Sequence, residues 1–110
     1  MGVEPAVEMM EATTHMITTR KLSRAKVRVT FELPDDGPSV GVAGDFNDWD
    51  PSTTPLKRRS GARKASVVLD NGKRYSFRYR NADGDWFNDP QAHTYEWNAF
   101  GEENGIIDLA

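Results

Sequence analysis

The chain has 110 residues, no Cys and two His, with 37% hydrophobic and 28% charged residues and a formal net charge of −3. A domain of this length folds on one modest core, whereas a catalytic (β/α) barrel needs roughly 250 residues, so a large glycosidase or dehydrogenase is excluded. Without Cys there is no disulfide frame and no thiolate chemistry, and His15 and His93 alone cannot build a multi-His metal cage.

Met1 to Thr19 carries Glu4, Glu8 and Glu11, no Lys or Arg, and no apolar stretch that suits a secretory core or a membrane span. The chain is therefore expected to be cytoplasmic. Residues 1–22, polar and Thr-rich, are expected to form a disordered tail, and residues 23–110 a single folded module.

Ala25 to Leu33 alternates strictly, with Val27, Val29, Phe31 and Leu33 on one face, and is predicted as a half-buried strand. Ser39 to Ala43 is a second strand, and Leu56 to Arg59 a short edge piece. Arg63 to Asp70 places Ala65, Val67 and Leu69 inward. Asn71-Gly72 then has the residues of a type I′ hairpin turn, with Arg74 to Arg80 as the returning strand. In that strand Tyr75, Phe77 and Tyr79 share the core face, so Ser76, Arg78 and Arg80 point outward. Gly105 to Leu109 is the last strand, with Ile107 and Leu109 inward. Six or seven short strands and no apolar stripe at helical spacing predict an all-β, immunoglobulin-like antiparallel sandwich.

The chain has three Trp, three Tyr and five Phe, and most lie outside these strands. Gly44-Asp45-Phe46-Asn47-Asp48-Trp49-Asp50-Pro51 and Gly84-Asp85-Trp86-Phe87-Asn88-Asp89-Pro90 are built alike: Gly-Asp, two aromatics, Asn-Asp and a Pro. In each, Phe46 or Phe87 can plug the end of the sandwich, while Trp49 or Trp86 sits among residues that prefer water. Capping of the core by both Trp is the plainer reading. An exposed indole beside short amides and carboxylates suits a sugar ring, which has an apolar C–H face and a rim of hydroxyls.

These residues also carry a resemblance. Val42 to Trp49, Tyr75 to Tyr79, Asp83 to Pro90 and Phe100 to Asn104 occur in the order of the isoamylase-type early-set domains. That is carbohydrate-binding module family 48, which includes the glycogen-binding domain of the AMP-activated protein kinase beta subunit. The resemblance runs from about Ala25 to Leu109. It implies non-catalytic binding of α-1,4-glucans such as glycogen, starch or maltodextrin, with no cofactor. Trp49 and Trp86 match the family's stacking tryptophans, Arg78 a basic position that bonds hydroxyls, Phe100 an apolar residue at the site's edge, and Asn104 an amide that contacts hydroxyls. Two departures stand out. Gly105 replaces a second Asn, implying one lost hydrogen bond, and Asn81-Ala82 lengthens the turn before Asp83, which would shift Trp86 relative to Trp49. Relatives are usually fused to a family 13 glycoside hydrolase or branching-enzyme barrel. The module is thus expected to act alone or with a separate glycan-metabolising enzyme chain.

Four other readings compete with this one. Paired carboxylates can hydrolyse glycosides, but Asp45, Asp48, Asp50, Asp83, Asp85 and Asp89 lie in Gly- and Pro-bounded loops, where turn formation and hydration explain them. A calcium loop at Asn81, Asp83 and Asp85 fails because Trp86 takes the required Gly position and Ala92 that of the bidentate Glu, so no metal site is assigned. All fourteen Lys and Arg fall between Arg20 and Arg80, which raises nucleic-acid binding through Lys73 to Tyr79. The aromatics there are better used as core, and that partner is disfavoured. A protein-interaction surface at Tyr95, Trp97 and Phe100 is the remaining alternative.

Overall fold

The computed structural model describes residues 16–110. Nine strands follow in order: β1 (Met16–Lys21), β2 (Lys26–Pro34), β3 (Val40–Gly44), β4 (Lys57–Arg59), β5 (Ala62–Asp70), β6 (Arg74–Asn81), β7 (Trp86–Phe87), β8 (Thr94–Trp97) and β9 (Glu103–Asp108). A single 3-10 turn, Pro51–Thr53, is the one helical element among the described residues. All pairings are antiparallel, in a first sheet of order β1-β2-β5-β4 and a second of order β3-β6-β9-β8, with β7 beside β6. This is the strand order of an immunoglobulin-like sandwich, to which β7 and β8 are additions.

The alternation read in β2 holds: Val27, Val29, Phe31 and Leu33 are buried. Phe31 is the hub between the sheets. Its ring lies 5.2 Å from Phe77, 6.2 Å edge-on from Tyr79 and 6.1 Å from Phe46. Burying such a side chain contributes roughly 1.5–3 kcal/mol, and the offset and edge-on contacts add to it. Phe87 packs tilted against Tyr79 at 5.3 Å, so Phe46 and Phe87 both pack against the core as expected of plugs.

Two expectations are corrected. Part of the expected tail is structured, since Met16–Lys21 pairs along β2 and Ile17 packs against the core. Short Thr-rich segments lack the burial to fold alone, but a neighbouring strand supplies both hydrogen bonds and a core. The rest of the expected tail, residues 1–15, lies outside the described residues. Asn71-Gly72, moreover, is not a hairpin turn: β5 belongs to the first sheet and β6 to the second. Only Gly72 has positive φ, +85°, whereas a type I′ turn needs it at both central residues. The crossing is pinned instead by Asn71 N–H to Ala25 O and Gly72 N–H to Leu109 O, both 2.8 Å. Tyr75 Oη–H donates to Asp70 O at 2.9 Å, the tyrosine corner of immunoglobulin-like folds.

Candidate functional site

The loop after β3 is shaped from within by Asn47. Its Oδ1 accepts the Gly44 N–H at 3.0 Å, and its Nδ2 donates to Val42 O at 2.8 Å and Thr54 Oγ1 at 3.0 Å. The next two residues, Asp48 and Trp49, take φ of +56° and +59°, a left-handed conformation that is uncommon for any side chain and unfavourable for a bulky one. That bend turns the Trp49 indole away from the core, while Phe46 stays under it. Asp50 then caps the 3-10 turn, accepting from Ser52 N–H at 2.9 Å and Ser52 Oγ–H at 2.7 Å. Those two bonds hold its carboxyl below the usual Asp range. Only glycine fits at Gly41, because a Cβ there would lie 2.1 Å from Pro51 O.

Outward-facing Ser76 and Arg78 form the floor on β6. The Arg78 side chain is only 13% exposed: its Nε–H donates to Asn88 Oδ1 at 2.8 Å and an Nη1–H to Glu102 Oε1 at 2.6 Å. Asn88 is anchored in turn by donating from Nδ2 to Glu103 O at 2.9 Å. Two of the five guanidinium N–H groups are used in this way, which fixes the plane of the group.

Trp86 opens β7 opposite Arg80, whose guanidinium carbon lies 5.2 Å from the indole centroid, a cation–π contact that steadies the ring. The Asn81-Ala82 extension is closed by Asn81 Oδ1, which accepts from Asp83 N–H and Asp85 N–H at 2.9 and 3.0 Å. Between β8 and β9, Asn98 Oδ1 accepts the N–H groups of Phe100 and Glu102 at 2.9 and 3.1 Å, and its Nδ2 donates to Asn104 Oδ1 at 3.1 Å. Phe100 thus stands 88% exposed at the tip of this hairpin.

All five residues singled out in the sequence, Trp49, Arg78, Trp86, Phe100 and Asn104, line one groove of about 630 Å³ on the outer face of the second sheet. Both indoles line it with the longer turn before Asp83 in place. Four further residues line it: Asp45, Ser76, Asn98 and Glu102. Ser76 was readable from its alternation with Arg78. Asp45 and Glu102 act through hydrogen bonds to distant segments, which no local pattern encodes, whereas Asn98 shapes its own turn through bonds to Phe100, Glu102 and Asn104. A larger cavity, about 700 Å³, lies on the first sheet and has no aromatic side chain in its wall.

Two sequence readings change. Gly105 is buried, and a Cβ there would press on the Phe77 ring at 3.0 Å and Ala92 at 3.2 Å; the position faces the core, so an Asn at it would reach no groove ligand. Asp89 is not a hydrated loop carboxylate but fully buried. It accepts the Tyr79 hydroxyl and, at 2.7 Å, the Gln91 N–H, while its carbonyl accepts the Tyr95 hydroxyl. Burial, with the Asp89 charge beside it, pushes the Tyr79 hydroxyl well above the usual tyrosine range. Among the described residues no helix is long and apolar enough to cross a membrane.

A two-sheet module whose outer face carries an aromatic-walled, amide-rimmed groove has the form of a sugar-binding domain. Residues 27–110 match the family described as the glycogen recognition site of AMP-activated protein kinase, and the chain belongs to that family of carbohydrate-binding modules. It is also similar to the 1,4-alpha-glucan branching enzymes GlgB 2 of Xanthomonas campestris pv. campestris strains 8004 and ATCC 33913. Each is 40% identical over 47 residues, covering 41% of this chain and 6% of the enzyme. The match therefore spans only a small part of those relatives.

Proposed function

We propose that the groove binds α-1,4-glucan chains such as glycogen, starch or maltodextrins, without catalysis. The observation that carries this reading is the convergence of two indoles, a fixed guanidinium and an amide, from separate segments of the chain, on one open groove. Trp49 and Trp86 stack on the apolar faces of glucose units, and Phe100 flanks the exit. Arg78 keeps N–H groups to offer to hydroxyls, and Asn104 supplies amide hydrogen bonds. Each stacking contact contributes roughly 0.5–1.5 kcal/mol and each neutral hydrogen bond about the same, so two platforms and a few bonds give micromolar to millimolar dissociation constants. Affinity of that order suits a module that keeps a glycan-metabolising enzyme close to its polymer, and a cytoplasmic setting belongs to the same reading.

Titration of tryptophan fluorescence with maltoheptaose tests it. Trp49→Ala and Trp86→Ala should each weaken binding roughly two- to tenfold. No response at millimolar sugar, or an unaltered response in both variants, would overturn it.

A further inference from the structure

The cations from Lys57 to Lys64 take no part in the groove, and the first sheet places them beside an unfinished edge. β4 pairs with β5 only at Ala62, Arg63 and Lys64. Just before Lys57 the chain is still bonded to the second sheet: Leu56 N–H donates to Val40 O and Val42 N–H to Thr54 O, both at 2.9 Å. From Ala65 onward β5 therefore has β2 on one side and, among the described residues, no strand on the other. The cavity of about 700 Å³ lies against this free edge, between Thr53–Pro55 and Ala65–Val67.

Its rim is cationic. Lys57, Arg58, Arg59 and Lys64 line it, and no carboxylate does. Lys57 and Lys64 stand directly opposite each other in the ladder, a like-charge pair that costs stability in a sheet unless an anion lies nearby. Glu32 is 3.7 Å from Lys64, and Asp35 binds Arg58. Lys57 and Arg59 have no carboxylate within 4.0 Å among the described residues.

We infer that this slot is a docking site for an extended, acidic polypeptide segment that adds a strand to the free edge of β5. Ala65–Leu69 offers roughly 17 Å of edge at about 3.4 Å per residue. An open edge presents backbone N–H and C=O groups that another polypeptide strand satisfies, which a nucleic acid cannot do in register. Half-buried Ala65 and Val67 give alternate side chains of the segment an apolar floor, and the cationic rim meets its carboxylates. The same charge disfavours a second copy, whose own edge would bring Lys and Arg against Lys and Arg.

The test uses the full chain and fluorescence anisotropy with a labelled, alternating glutamate–valine heptapeptide. Comparison ligands are its lysine–valine counterpart, the acidic peptide with a central proline, and a single-stranded oligothymidylate. The acidic peptide should bind and the basic one should not, and the central proline should weaken binding about tenfold by removing a ladder donor. The combined Lys57→Glu and Arg59→Glu variant should weaken it about tenfold as well, with the milder Lys57→Ser giving a smaller loss in the same direction. Amide resonances of Ala65–Leu69 should shift, while maltoheptaose titrates the variants as before. Equal binding of the proline peptide would reduce the interaction to charge alone, and tighter binding of oligothymidylate would make the face a nucleic-acid surface. Binding of none of them would leave the cations as guards of the edge. Each of these three results overturns the inference.

Discussion

The Trp49 indole Nε1–H donates to Asp45 Oδ1 at 3.1 Å, and the other oxygen of that carboxylate accepts the Ser76 N–H at 2.7 Å. One exposed side chain thus ties the first wall of the groove to its floor. Asp45→Ala removes both bonds and frees the indole to rotate. The expected outcome is a three- to tenfold loss of maltoheptaose affinity with about 1 kcal/mol of stability, because net hydrogen bonds contribute about that much. Asp45→Asn keeps an oxygen acceptor and should retain part of both. Sugar titration and urea unfolding on the same samples separate the two effects.

Asp48 and Trp49 are consecutive residues with positive φ, and such strain persists where the surroundings impose it. Asp48→Gly relieves it at the first position. The variant should be unchanged to about 1 kcal/mol more stable, and glucan affinity should fall, since a glycine pivot holds the next indole less firmly. Asp48→Val, β-branched in the left-handed region, should instead lower the melting temperature by several degrees.

What the sequence disclosed and what it hid follow one rule: local alternation was legible, and contacts between distant segments were not. Phe31, Phe77 and Tyr79 were placed inward by period two, and Arg78 outward by the same count. The strand at Met16–Lys21 escaped because it exists only through β2. Asn71-Gly72 misled because the dipeptide favours a hairpin locally, whereas the immunoglobulin-like order requires the chain to cross between sheets there; those two readings were incompatible. Buried Arg63 continues the inward phase of β5 and bonds Pro34 O and Pro38 O. Glu102 lies in the Phe100 to Asn104 segment, yet its tie to Arg78 reaches across 24 positions of the chain.

Gly105→Asn separates the structural account from one based on matching residues alone. If the position faced the groove, the amide would add a hydrogen bond and tighten binding. Since its Cβ direction meets Phe77 and Ala92, the substitution should destabilise the sandwich by about 1–3 kcal/mol through overpacking and an unpaired amide. Affinity of the folded fraction should not improve. Thermal unfolding together with maltoheptaose titration below the transition decides it.

The Tyr79–Asp89 pair sets an alkaline limit on stability. The Tyr79 hydroxyl is raised in the folded state, so the native chain holds this proton more tightly than the unfolded chain does. Its contribution is complete below the unfolded tyrosine value of about 10 and is lost as pH rises from there toward the folded value. Lys26, raised first by its hydrogen bond to Asp70 and then by the charge of that residue, acts in the same direction, and the mutant comparison isolates the tyrosine. Tyr79→Phe leaves Asp89 buried without its hydroxyl donor and should cost about 1–3 kcal/mol at neutral pH. It should also flatten the fall in the urea midpoint above about pH 10 relative to the parent chain. Phenolate absorbance supplies the independent readout: the Tyr79 share should appear only with unfolding. A parent chain in which that share appears while the fold persists would contradict the assignment.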